Sequence, residues 1–425
     1  MPVKSKKIEK QTAIGAVAIM LAALLWSLDG VFIRPKFYVL PAGLVVFLEH
    51  FLGLLILGPA IFWGFSKIKT LSAKSWIALI WVSVFGGLLG TLTITQAFFA
   101  AVNGETTFAT VVLLQKLQPV FALLLARLVL GEKLKRGFYL WAGIAVSASY
   151  FLAFGKSGLR LSEIDFFHSA AFFAFLAAFA FGSSTVFGKR LVNHLDFKIT
   201  SALRFGLTSI LAFILIAATG DLFKINQVSS QQWQLLGLIV FSSGAAAMFI
   251  YYYGLKRVTA SQATICELFW PFSAVILDYV LNKNVLNAVQ IISAVILLVS
   301  FYQIVKTGKA KNLFFTAKVI HGSGRGKSLG FPTANLDKID LDLSYGVYLA
   351  EAEIDAKKYP GLLHFGLRET FQDRPSLEIY LKDFQDNIYQ KEMKVKIIQK
   401  IREVKKFQNS ADLVEQIKKD AAVLP

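Results

Sequence analysis

Apolar stretches recur from Thr12 to Ile304 and then stop. Each is about 20 residues long, enough to cross roughly 30 Å of hydrocarbon as a helix. They predict ten spans, at about 12–33, 41–63, 76–100, 106–130, 137–154, 167–187, 199–219, 233–254, 259–281 and 286–305. Connections such as "RPKFYVLP" and "AVNGET" leave room for little beyond a turn. The first span follows Lys4, Lys6, Lys7 and Lys10, but it is too long for a signal peptide and lacks a small-residue cleavage site, so it reads as a retained helix. Past Lys311 the period changes to two: residues 346–354, 376–384 and 393–401 alternate as half-buried strands, and "SADLVEQIKKDAAVL" follows as a helix with Ser410 or Asp412 as its cap.

The membrane part repeats itself. "WSLDGVFIR" (26–34) lies over "FGSSTVFGK" (181–189), and "LQKLQPVFALLLARLVLGEKL" (114–134) over "CELFWPFSAVILDYVLNKNVL" (266–286). The second alignment sets Pro119 on Pro271 and Gln115 on Glu267. Two units of five spans must insert in opposite orientations, because five is odd. The expected fold is therefore a ten-helix α-helical membrane bundle of two inverted five-helix repeats, followed by a small antiparallel β-barrel with a C-terminal α-helix. The domains run 1–311 (repeats about 12–154 and 166–306) and 312–425, and the seven-residue tether 306–312 is too short for wide separation.

Composition agrees: 55% of the residues are hydrophobic and 17% charged. The formal net charge of +18 sits mostly in the membrane part, with 27 Lys and Arg against 11 Asp and Glu up to residue 311 and 18 against 16 beyond it. Lys and Arg collect in alternate connections, the others holding few, Arg34 among them, and the positive-inside rule then puts the chain in the cell membrane with both termini in the cytoplasm. The lipid bilayer accounts for the basic balance, and nucleic-acid binding is not needed. Cys266, the single cysteine, excludes an intramolecular disulfide and a cysteine metal cluster, and the five histidines show no ligand spacing, so any metal must use oxygen ligands.

Ionisable groups inside spans are costly enough to signal function. Gln115, Lys116, Glu267 and Glu49 are the candidates for a transport cavity; the bland alternative pairs Lys116 with Glu49 or Glu267 as a structural contact, while Arg127, Arg204 and Asp278 snorkel to the interface. The 5+5 arrangement, the tryptophan-bearing first span and "LQPVFALLLARLVLGEKL" resemble the EamA-type drug/metabolite transporters over about residues 12–306. The resemblance implies a carrier of small metabolites working by alternating access. Glu132 is matched by Asn284 in the second repeat, where the pattern often repeats its acid, which weakens a symmetric role for Glu132.

"HGSGRGKSLGFPTANL" (321–336) at first suggests a P-loop, but the first glycine of that motif would fall on His321, and Gly330 and Pro332 oppose the helix a P-loop opens. The full string instead resembles the riboflavin kinase signature, followed in order by "GVY", "YPGLLHFGLRETF", "LEIYLKDF", "IYQKEMKVKI" and "IREVKKFQNSADLVEQIKKD" over residues 314–420. That resemblance implies ATP and riboflavin as substrates, FMN as product and Mg2+ as the metal. It implies Glu378 as the catalytic base, and its alternation with Leu377 and Ile379 puts it on the opposite face from those two; it implies Gly322, Gly324, Arg325, Gly326, Lys327, Pro332 and Thr333 around ATP. Thr333 and Asn335 would serve the metal, and Arg402 and Phe407 the flavin. Tyr380, His364, Glu369 and Gln390 depart from the family pattern, and no HxGH-type motif for adenylylating FMN is present. The expected function is uptake of riboflavin coupled to trapping as FMN. The alternatives are a carrier of another metabolite with an independent kinase, or a flavin-sensing domain that regulates transport without turnover. Oligomeric state is left open, a dimer being one option.

Overall fold

The computed structural model describes residues 2–37, 39–102, 111, 114–132, 134–154, 169–282, 287–307, 314–322, 324, 326, 329–337, 341, 343–366, 376–384, 386–405, 407 and 409–424. The chain divides into two compact units, the second beginning at Ala310.

In the first unit a helix falls on each of the ten candidate spans. They are α1 (Pro2–Leu28), α2 (Ala42–Leu57), α3 (Ala73–Trp81, continued to Val102), α4 (Gln118–Val129), α5 (Arg136–Phe154), α6 (Ser169–His194), α7 (Phe197–Ala218), α8 (Ser230–Phe241 and Ala245–Leu255), α9 (Ala260–Cys266 and Phe269–Asn282) and α10 (Ala288–Thr307). Among the described residues, seven helices are long and apolar enough to cross a bilayer. Three of them start on side-chain caps. Asp196 accepts from the Lys198 amide, and Ser229 with Gln232 and Thr259 with Gln262 form capping boxes.

Departures from regular helix gather at the centre of the unit. The end of α1 passes into a π turn, Asp29–Ile33, whose closing bond runs from the Arg34 amide to the Asp29 carbonyl. A second π stretch, Val82–Leu89, interrupts α3; the hydroxyl of Thr208 donates to the Ser83 carbonyl there at 3.1 Å. Gly86 and Gly87 let this stretch lie against its neighbours, since an added Cβ would stand 2.0 Å from Ser184 Oγ and 2.1 Å from Thr208 Oγ1 respectively. The two aligned prolines act alike: the helix gives way to a turn at Lys116–Leu117 before Pro119 and at Glu267–Leu268 before Pro271. Proline has no amide hydrogen for the carbonyl four residues back, so these breaks fall beside the carbonyls of Gln115 and Glu267.

Glu132 has a structural task rather than a symmetric one. Its Oε1 accepts from the Ala260 amide at 2.8 Å, and its Oε2 accepts from the amide and hydroxyl of Ser261 at 3.1 and 2.5 Å. A carboxylate there satisfies the orphan amides that open α9 and complements the positive end of its dipole. Asn284 lies outside the described residues.

The second unit is a closed six-stranded antiparallel barrel: β1 (Phe314–Ile320), β2 (Thr333–Leu336), β3 (Gly346–Ile354), β4 (Lys357–Gly366), β5 (Ser376–Leu381) and β6 (Glu392–Arg402), joined in the order β1-β2-β5-β4-β3-β6. Closure leaves no sheet edge unpaired. Alternate residues fill the interior, among them Val319, Leu336, Ala350, Leu363, Phe365, Leu377, Ile379 and Val395. The helix α11 (Ser410–Ala421) follows, and its cap is Asn409, whose side chain accepts from the Asp412 amide at 2.9 Å, rather than Ser410 or Asp412. An asparagine one residue earlier reaches the free amide because its own backbone is still extended.

Gln390, which stands where the kinase pattern has glycine, adopts φ +67°, the left-handed region that glycine tolerates best. The β3–β4 hairpin carries the same strain in its two-residue loop, with Asp355 at φ 48° and Ala356 at φ 63°. This is the backbone that Asp-Gly fits. Ala356→Gly is expected to stabilise the barrel by about 1 kcal/mol, raising the melting temperature of a 312–425 fragment by roughly 4 °C or more. An unchanged or lower melting temperature would contradict the assignment of strain.

Candidate functional site

On the barrel, the site grows from the pairing of β2 with β5. Thr333 opposes Tyr380 and Asn335 opposes Glu378, while on the other side of β5 Glu378 opposes His364 of β4. Directly opposed residues share a face, so Asn335, Glu378 and His364 form one row across three strands. Leu377, Ile379 and Leu381 point inward and are buried, which puts Glu378 on the outer face, as its alternation predicts. The Glu378 carboxylate accepts from Thr333 Oγ1 at 3.1 Å and from Ser376 Oγ at 2.8 Å. It is therefore oriented by the "PTAN" turn itself.

The glycine-rich loop lies directly on that turn. A Cβ at Gly322 would come 1.9 Å from Asn335 Nδ2, and one at Gly326 would come 2.5 Å from the Phe331 carbonyl and 2.8 Å from Thr333 Oγ1. Only glycine permits this approach. Gly324 takes φ +69° in the same loop, and Pro332 leads into β2. Arg325 and Lys327 lie outside the described residues.

At the far end of β6, Arg402 Nε donates to Asp420 Oδ2 of α11 at 2.7 Å, and its guanidinium stands 5.8 Å from the centre of the Phe407 ring. Gln416 also donates to Asp420, at 3.0 Å, so Arg402 is tied to the terminal helix.

In the membrane unit, Glu49, Gln115, Lys116 and Glu267 all line one cavity of about 290 Å3. Trp26, Phe98, Phe181, Phe205, Tyr251 and Trp270 supply aromatic surface to it. The pairings proposed for Lys116 are not those observed. Glu49 Oε1 accepts from Arg34 at 2.6 Å, and Arg34 also donates to Asp29 at 2.5 Å. Glu267 accepts from Gln118 Nε2 at 2.5 Å, Tyr251 OH at 2.8 Å and Thr185 Oγ1 at 3.1 Å. Lys116 Nζ stands 4.9 Å from the centre of the Trp270 ring, a cation over an aromatic face. Arg204 does not snorkel: it is 6% exposed, lines the cavity and donates to Tyr252 OH at 3.2 Å. Arg127 is exposed, and the Asp278 side chain lies outside the described residues. Several lining atoms are buried without a hydrogen-bond partner, namely Asp29 Oδ1, Gln115 Oε1, Arg204 Nε, Ser243 Oγ and Thr264 Oγ1. Unsatisfied donors and acceptors around an aromatic-lined space suit a flat, polar occupant.

The model of the EamA-like transporter family matches residues 13–154 and again 168–306. The chain belongs to the EamA-like transporter family. Riboflavin transporter ImpX of Fusobacterium nucleatum subsp. nucleatum is 38% identical over 295 residues, which span 69% of this chain and 97% of that protein. A solved structure aligns over 70% of this chain and 97% of its own with a TM-score of 0.51 and 17% identity, a likeness of fold alone. Beyond the EamA part, the flavokinase model, described as riboflavin kinase, matches residues 309–424. The bifunctional riboflavin kinase/FMN adenylyltransferase of Bacillus subtilis is 38% identical there over 116 residues, 25% of this chain and 36% of that enzyme. The chain thus carries an EamA-like transporter joined to a riboflavin kinase domain.

Sequence reasoning counted Arg34 among the loop charges, and the EamA cavity instead holds it as the partner of two carboxylates. The available signal was the five-residue spacing from Asp29, which matches a π turn but not an α-helix. Arg34→Ala would leave both carboxylates without their cation, at a cost of about 3 kcal/mol. The expected result is a clear drop in unfolding temperature in detergent, largely recovered when Asp29→Asn and Glu49→Gln are added. Equal unfolding temperatures for wild type and Arg34→Ala would speak against the clamp.

Proposed function

We propose that the EamA unit admits riboflavin and that the barrel phosphorylates it to FMN at the expense of ATP. The observation carrying the kinase half is the Glu378 carboxylate, fixed between Thr333 and Ser376 on the row it shares with Asn335. In this reading Glu378 accepts the proton of the ribityl 5′-hydroxyl as that oxygen takes the γ-phosphoryl group, and ADP leaves. Gly322, Gly324 and Gly326 let loop amides approach the phosphates closely, with Arg325 and Lys327 as the neighbouring positive charges and Pro332 setting the turn. Arg402 and Phe407 border the flavin.

The donors present fit Mg2+. The hydroxyl of Thr333 and the amide oxygen of Asn335 are hard oxygen ligands beside a carboxylate, and the loop glycines leave room next to both. Those two residues would hold it, and bound Mg2+ would neutralise charge on the phosphates of ATP.

The cargo reading rests on the cavity. Its lining carboxylates Asp29, Glu49 and Glu267 are matched by the cations Arg34, Lys116 and Arg204. A neutral polar ring system leaves that balance intact, whereas FMN brings a charge of about −1.5 to −2 near neutrality into an apolar path. Phosphorylation on the cytoplasmic side would therefore retain the product and draw uptake forward.

The test combines two assays. Full-length protein incubated with Mg-ATP and riboflavin is expected to form FMN, and Glu378→Gln to lower kcat by about 100- to 10,000-fold. Cells expressing the chain are expected to accumulate labelled FMN from external riboflavin, and the Glu378→Gln form only unphosphorylated riboflavin. Flavin binding without turnover would point to a sensing domain. Uptake of an unrelated metabolite but not riboflavin would point to an independent kinase.

A further inference from the structure

We propose that Glu267 carries a coupling proton, one entering with each molecule of cargo; this rests on the riboflavin reading of the cavity. Three carboxylates line that cavity, and two of them are committed. Asp29 and Glu49 both bind Arg34, whose guanidinium stays charged. Among the described residues, Glu267 instead has three hydrogen-bond donors and no ion-pair partner. The other ionisable groups facing this space are Arg34 beside α1, His50 of α2, Lys116 ahead of α4, Arg204 of α7 and Tyr251 of α8, with Cys266 next to it on α9.

The donors themselves suit a group that changes its protonation state. Tyr251 and Thr185 offer hydroxyls, which donate to a carboxylate and accept from a carboxylic acid by rotation, and the two oxygens stand 3.0 Å apart. Both hydroxyls face Oε1, so a proton placed there leaves Oε2 as the carbonyl oxygen to which Gln118 keeps donating. A proton can thus be added to Glu267 without stranding a buried polar group, which is not true of Asp29 or Glu49.

The same residue sits where transport must act. Gln118 belongs to the first repeat and Glu267 to the second, so their 2.5 Å hydrogen bond ties the two halves together, and both lie at the proline breaks. Protonation removes the charge from that tie and loosens it as the halves rock. In the step itself, a carboxylate oxygen of Glu267 takes a proton from water on the more acidic side and returns it to water on the other. No bond of the cargo changes.

The test uses the full chain in liposomes without ATP, with a pH-reporting dye inside and the lumen one pH unit more alkaline than the outside. Riboflavin added outside is expected to accumulate up to about tenfold per pH unit for a one-to-one ratio, with matching acidification of the lumen. Glu267→Gln is expected to abolish the riboflavin-induced acidification and Glu267→Asp to retain it. Should Glu267→Gln fail to reconstitute, the wild-type proton signal and the Asp variant decide. Riboflavin entry with no acidification and no dependence on the gradient overturns the proton assignment and leaves the cargo reading standing. Absence of riboflavin entry even by exchange against a riboflavin-loaded lumen overturns the cargo reading, and the proton assignment with it.

Discussion

A carboxylate taken out of bulk water keeps its charge only where the protein supplies donors, and this constraint shapes both halves of the molecule. Each informative acid meets it differently. Asp29 and Glu49 share the guanidinium of Arg34, Glu132 takes the free amides that open α9, and Glu267 collects an amide and two hydroxyls from three other helices. Glu378, on the barrel surface, is held by hydroxyls from its own strand and from the neighbouring one. The consequence is a graded set of behaviours. A fixed cation locks a carboxylate in place, a helix terminus makes it a brace, and neutral hydroxyls leave it free to exchange a proton.

Backbone irregularity places these groups. Pro119 and Pro271 stand at equivalent points of the two repeats and break their helices beside the residues that line the cavity. The π turn after α1 brings Arg34 back over Asp29, a contact that five-residue spacing would not give on an ideal α-helix. Irregular backbone inside a membrane unit is tolerated where it is buried in protein or lines a cavity, and the aromatic and polar lining found here fits that condition. On the barrel the equivalent device is glycine, which lets a loop lie on the "PTAN" turn so that the glycine backbone and Glu378 come from adjoining segments.

Much of this was legible in the chain. The ten spans, the membrane-then-barrel order and strand β3 follow from periodicity alone, and Glu378 was assigned to the outer face from its alternation with Leu377 and Ile379. Three strands were not read as such, for physical reasons. β2 is four residues inside a motif that looks like a turn, β4 contains Pro360 and Gly361, which argue against a strand, and β1 follows a tether and carries apolar Phe314 and Ile320 on its exposed face, which blurs its alternation. The partners of Lys116, Glu49 and Glu267 could not be read either, because pairs such as Gln118 with Glu267 are 149 residues apart and depend on how two repeats pack. Arg34 was misassigned because a cation at the end of an apolar run ordinarily faces solvent.

The fusion joins two chemistries that would recognise one compound, first by an aromatic cavity of balanced charge and then by a barrel that makes the compound anionic. The most direct measurement of that claim is the binding stoichiometry of riboflavin on the purified full-length chain, followed by quenching of flavin fluorescence in the presence of Mg2+ and a non-hydrolysable ATP analogue. The account predicts two flavins per chain, one of them lost when Lys116 and Trp270 are replaced. A single flavin per chain, indifferent to those replacements, would contradict it.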